Sequence, residues 1–281
     1  MTSLSASLVR GALTSPFKRA GRPDAALPPD RPTRPAAPVA PGPLAAYGRI
    51  CGFAESGPLP LTYPHVLAFP LTMRLMTGRT FPLPVLGLVH TWIEITPHRA
   101  VQPFEPLELA VYADGLTPHR RGTEVTMVTE ARVDGEPVWE SRSGYLSRHA
   151  TTDAAASPLT ASAPDAVGDL PAVAEWRLPG DLGRRYGSIS GDRNPIHLHP
   201  LTARLFGFPR AIAHGMWTAA RCLAESATGE APELSSVRVE FKAPVLLPAT
   251  VTYAADAAGH TFALRGAKGR VHLVGTVART A

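Results

Sequence analysis

The chain has 281 residues and 44% hydrophobic content, which supplies the core of one large domain or two ordinary ones and excludes a fibrous or wholly disordered protein. Its formal charge of +5 is concentrated at one end: up to residue 45, Arg10, Lys18, Arg19, Arg22, Arg31 and Arg34 face only Asp24 and Asp30. The rest is almost neutral, so the body lacks the basic footprint of a nucleic-acid binder.

Residues 1–46, with nine prolines among the first 45, read as a flexible Pro/Ala/Arg-rich leader. A first module is expected over 47–149. Within it Leu67–Met76 reads as a short helix in which Pro70 has to lie in the first turn or make a kink. Strands follow at 87–96, 105–113, 122–133 and 137–147, the last two joined through Asp134-Gly135. The segment 150–172 reads as a linker.

The second module, 173–281, repeats the order. A loop region from Leu182 to Pro200 leads into a helix over Ala211–Ser226, whose Ile212, Met216, Ala219 and Leu223 make one apolar stripe. Strands are expected at 234–241, 249–255, 261–267 and 271–278. Helices with apolar faces followed by antiparallel strands predict an α+β arrangement of helix on sheet. Cys51 and Cys222 form neither a disulfide framework nor a zinc motif, which points to a reducing, cytoplasmic setting. No stretch reaches the roughly 20 apolar residues of a membrane span.

The densest polar cluster is YGSISGDRNPIHLHP, Tyr186–Pro200. Asp192, Asn194, His197 and His199 fall within it among turn-forming residues, and three readings follow. Asp and Asn can brace a turn. A carboxylate and an imidazole can share the handling of one water in acid–base chemistry. Asp192, His197 and His199 are also potential metal ligands, although histidines at i and i+2 do not share a helical face and no third strong ligand has suitable spacing. A second cluster, AIAHGMWTAA (211–220), puts Gly215 at a helix start, where backbone amides can meet an oxyanion. Its plain reading is close helix packing, with His214 bonded to a nearby carbonyl.

At these residues the chain resembles the MaoC-like hydratase/dehydratase family, of the (R)-specific enoyl hydratase type. Tyr186, Ile189, Ser190, Gly191, Asp192, Asn194, Pro195, Ile196, His197 and Ala203 match its signature, followed by His214-Gly215-Met216 and by FKAPVLLP (241–248). YPHVLAFP and LGLVH resemble the altered first half of two-module members. The first half lacks an SGD-x-NP-x-H motif, and His199 departs from the acidic residue often found there.

The resemblance implies a double hot-dog fold of two curved antiparallel sheets, each packed on a central helix. It implies reversible hydration of trans-2-enoyl thioesters to (R)-3-hydroxyacyl thioesters, with Asp192 and His197 as catalytic residues and the Gly215 amide as oxyanion donor. Asn194, Ser190 and Tyr186 are expected in support. The substrate would be an acyl-CoA or an acyl carrier protein thioester, with no separate cofactor and no metal. Arg184, Arg185 and Arg193 are candidates for contact with phosphate or an acidic carrier. Partners are expected to exclude nucleic acid and to include a second copy or a related subunit. A thioesterase and a non-catalytic acyl-binding or subunit-stabilising protein are the rival readings. Phe69, Leu71, Met73 and Leu75 fit either an acyl tunnel or ordinary core.

Overall fold

A computed structural model of the chain describes residues 18, 21, 22, 25–151, 167–226 and 234–279. The first half contains β1 (Thr33–Ala37), α1 (Pro41–Cys51), α2 (Tyr63–Met76), β2 (Val89–Pro97), β3 (Leu107–His119), β4 (Gly122–Val133) and β5 (Glu136–Arg148). The second contains β6 (Ala172–Leu178), α3 (Leu182–Ser190), α4 (Pro195–Leu198), α5 (Pro200–Leu205), α6 (Gly215–Ser226), β7 (Leu234–Phe241), β8 (Ala249–Ala255), β9 (Thr261–Arg265) and β10 (Val271–Arg279).

The strands join in one antiparallel ten-stranded sheet, ordered β1-β3-β4-β5-β2-β7-β10-β9-β8-β6. Each half repeats one topology: the first strand lies at an outer edge, the second at the centre, and the remaining three fill the space between. Helices occupy the connection from first strand to second. The α+β class and the repeated order thus agree with the sequence, but hydrogen bonding makes a single sheet where two were expected. The seam is β2 against β7, with Ile93 opposite Val239 and Ile95 opposite Val237. All four residues are at most 1% exposed and belong to a hydrophobic core that runs through both halves.

Several sequence expectations need correction. Residues 33–46, assigned to a flexible leader, contain β1 and most of α1. Tyr47 and Cys51 of α1 are fully buried, and its Ile50 carbonyl accepts the Trp217 indole N–H at 2.9 Å. Tertiary burial therefore recruits a proline-rich segment whose composition disfavours packing on its own. The helix expected over Leu67–Met76 begins at Tyr63, with Pro64 in its first turn and Pro70 exposed in its interior. The second-half helix begins at Gly215 because Ala211–Ala213 is held extended: Leu247 N–H donates to Ala211 O at 2.8 Å and Ala213 N–H to Val245 O at 2.9 Å. The region 182–200, expected as loop, contains α3 and α4 and the first residue of α5. The proposed linker falls mostly outside the described residues. Among the described residues no helix is long and apolar enough to cross a membrane.

Ile93→Ala at the seam is expected to lower unfolding free energy by about 2–5 kcal/mol, the usual result of emptying a closed core position. Urea unfolding followed by circular dichroism and by tryptophan fluorescence should give coincident curves. Separate transitions for the two signals would contradict a shared core.

Candidate active site

Two glycines on α3 determine where the polar loop lies. A Cβ at Gly183 would stand 2.0 Å from the His197 carbonyl oxygen, and one at Gly187 would stand 2.7 Å from that of Asp192. Spaced i and i+4, they form a flat helix face on which the returning backbone rests. The return starts at Gly191, where φ is 79° and the N–H closes on Gly187 O at 3.1 Å.

Hydrogen bonds between residues two apart then set the loop. Ser190 Oγ accepts the Asp192 N–H at 3.2 Å, and Asp192 Oδ1 accepts the Asn194 N–H at 3.1 Å. Asn194 caps α4 by accepting the Ile196 N–H at 3.4 Å. Its oxygen therefore braces the turn. His199 is drawn elsewhere: its Nδ1 accepts the Leu201 N–H at 3.2 Å and caps α5 at the surface. Arg184 donates to Leu198 O at 3.2 Å, so one of the candidate phosphate contacts supports this loop.

His197 is buried and donates Nδ1–H to Ile212 O at 2.9 Å. Since a carbonyl can only accept, the neutral ring keeps its lone pair on Nε2. His214 donates Nε2–H to Asp192 O at 2.9 Å and stacks on His197, with ring centroids 3.7 Å apart. Tyr186, 1% exposed, packs its ring 4.9 Å from His214. Burial pushes the His197 pKa below the ordinary histidine value against the pull of Asp192 and the Ile212 carbonyl. Burial and the neighbouring His197 push His214 down to about 3.

Asp192, His197 and His214 bring donor atoms within 4.8 Å of one another. The His214 nitrogen nearest the carboxylate is Nε2, 3.9 Å from Asp192 Oδ2. That nitrogen already carries a hydrogen bonded to a carbonyl, so it has no lone pair for an ion. A buried neutral imidazole with an open Nε2 beside a partly exposed carboxylate is instead suited to moving protons.

Gly215 opens α6, whose first amides have no preceding helical turn to bond. A Cβ there would lie 3.1 Å from the Phe241 ring, so glycine also keeps this helix mouth clear. Of the apolar first-half candidates, Met73 is buried while Leu75 and Leu71 pack in or against the common core. The sequence places His214 in the His214-Gly215-Met216 element, with its ring bonded to a nearby carbonyl in helix packing. The bond is present, and its acceptor is Asp192 itself. The Asp192 carboxylate also acts electrostatically on His65 and Tyr145 of the first half; His65 lies in the YPHVLAFP segment, but neither residue was a candidate for the site.

Residues 172–274 match the family described as MaoC like domain. The chain is 38% identical over 244 residues to 3-hydroxyacyl-thioester dehydratase X of Mycobacterium tuberculosis, covering 85% of this chain and 86% of that protein. Its fold is similar to the crystal structure of HtdX of Mycobacterium tuberculosis, with TM-score 0.76 and 35% identity over 88% of this chain and 99% of that one. A MaoC-like dehydratase from Phytophthora capsici shares the fold at TM-score 0.75 and 19% identity, over 92% of this chain and 98% of that one.

Gly183→Ala is expected to force the His197 backbone off α3, reducing turnover at least tenfold and stability by about 1–3 kcal/mol, as overpacking does. Steady-state rates together with urea denaturation check both. Acid should also weaken the fold. The buried histidines bind fewer protons folded than unfolded, so their contribution is complete above about 6.5 and is lost as pH falls towards the lowered values. Melting temperatures should be level above neutrality and fall between about pH 6.5 and 4; a flat profile there would refute the assignment of neutral buried rings.

Proposed function

The chain belongs to the MaoC-like hydratase/dehydratase family, and from that premise we propose that it reversibly hydrates trans-2-enoyl thioesters to (R)-3-hydroxyacyl thioesters, with Asp192 and His197 as its acid–base pair. The two repeated halves are read as hot-dog units joined edge to edge, the second supplying the reactive groups. Within the second half, the observation that carries the reading is the fixed tautomer of His197. Its Nδ1–H is committed to Ile212 O, so Nε2 is the nitrogen left for proton transfer, on the loop that also holds Asp192.

In hydration, a water bound between the two side chains loses a proton to one of them as its oxygen bonds to C3. The electron pair of the C2–C3 double bond moves towards the thioester carbonyl, and C2 receives a proton from the pair. Dehydration retraces these steps: the C2 proton leaves to the pair, and the C3–oxygen bond breaks as the hydroxyl departs with a proton. Negative charge gathers on the thioester oxygen in between, and the Gly215 amide at the mouth of α6 is the donor assigned to it. Ser190 and Asn194 maintain the loop, and Tyr186 supports the imidazole pair from below. The acyl group is carried as a thioester of coenzyme A or of a carrier protein.

Asp192→Asn and His197→Ala are each expected to lower enoyl-thioester hydration by about 100-fold or more with the fold retained. Loss of enoyl absorbance measures hydration, and thiol release measured in parallel detects hydrolysis. Thiol release without hydration, or full activity in either variant, would overturn the assignment. Because burial lowers the His197 pKa, the acidic limb of kcat/KM attributable to its protonation should lie below the ordinary histidine range near 6.5. A limb at or above that range would count against His197 as the buried base.

A further inference from the structure

The first half lacks the Asp–His motif, yet it sends its own rings towards the same place. His65 of α2 stacks on His90 of β2 at 5.9 Å between centroids, and His90 stacks on Tyr145 of β5 at 4.5 Å. His90 also meets Phe241 of β7 at 5.0 Å in a tilted contact, and Phe241 borders Gly215. These contacts make a continuous aromatic wall from the central helix of the first half to the mouth of α6. Asp192 is the charge from the second half that acts on both His65 and Tyr145.

This wall contains unmet hydrogen-bonding capacity. His65 is only 6% exposed, and its Nδ1 has no hydrogen-bond partner; Nε2 of His90 is sealed in the same way. Such buried atoms each cost about 1–3 kcal/mol unless a ligand or water satisfies them. Burial holds the His65 pKa down to about 4, which keeps the ring neutral with one N–H and one lone pair. A neutral imidazole can both donate to and accept from a hydroxyl group.

We propose that His65 is a positioning residue for the oxygen on substrate C3, the hydroxyl of a 3-hydroxyacyl thioester or the water that becomes it, with its ring held against His90, which is itself stacked on Tyr145. The inference rests on the thioester reading above. C3 is favoured over the thioester carbonyl because two rings, His90 and Phe241, follow one another between His65 and Gly215, the donor assigned to that carbonyl. The first half thereby contributes polar recognition to the active site in addition to apolar surface.

A matched pair of ligands tests this. The probe 2,2-dimethyl-3-hydroxybutanoyl-CoA has no C2 proton and cannot dehydrate; 2,2-dimethylbutanoyl-CoA differs from it only by lacking the hydroxyl. Calorimetric titration of the full chain should show the hydroxylated ester binding more tightly. His65→Phe keeps a ring against His90 but removes both nitrogens, and should weaken the hydroxylated ester about tenfold while leaving the other unchanged. His65→Asn should recover most of that loss. Should the His65→Phe chain fail to fold, His65→Met serves the same comparison. Equal changes for both esters, or none, would reduce His65 to a packing residue. A wild-type chain that binds neither ester would overturn the thioester reading and this inference with it.

Discussion

The close approach of the Asp192–His197 backbone to α3 is the constraint on which the site depends. At Gly183 a single added carbon would fall 2.0 Å from the His197 carbonyl, inside any tolerable contact. A loop resting on bare helix backbone has little freedom to drift. Its carboxylate and imidazole are therefore placed mainly by main-chain geometry, supported by the Ser190 and Asn194 turn bonds. Such placement suits the proposed role of the two side chains, because proton transfer needs accurate placement more than it needs many contacts.

The second requirement is a low-polarity surrounding that keeps the histidines neutral. Both His197 and His214 donate to backbone carbonyls, at Ile212 and Asp192, so each tautomer is fixed by a group that cannot change protonation. The extended segment Ala211–Ala213 makes this arrangement by tying α4 to the Val245–Leu247 strand-like stretch on either side. His197 is thus linked through its carbonyl acceptor to the connection between β7 and β8. Helix α6 starts where this extended segment ends, which brings its open amides to the same mouth.

The halves are joined for more than stability. The β2–β7 seam aligns Ile93 and Ile95 with Val239 and Val237, and it also carries His90 and Phe241 on strands that meet there. A repeat without the SGD-x-NP-x-H motif can still serve the one that has it, provided that the seam fixes its side chains against the partner half. In the role proposed for His65, the aromatic wall from His65 to Phe241 is such a contribution. It explains why buried imidazoles occupy positions where aliphatic side chains would pack more cheaply.

Local sequence determined the part of the protein that depends on neighbouring residues. The SGD-x-NP-x-H run made Asp192 and His197 candidates, alternating apolar residues located most strands, and the apolar stripe through Met216, Ala219 and Leu223 located α6. Turn chemistry and periodicity act over a few residues and are legible in one dimension. Tertiary structure alone decided that the proline-rich segment from Thr33 to Cys51 packs, that Ala211–Ala213 is extended, and that both halves share one sheet. It also decided that His214 bonds to the Asp192 carbonyl and that His65 and His90 line up with Phe241. Each of these outcomes is set by partners distant in the chain, through burial and hydrogen bonds whose energies no local pattern records.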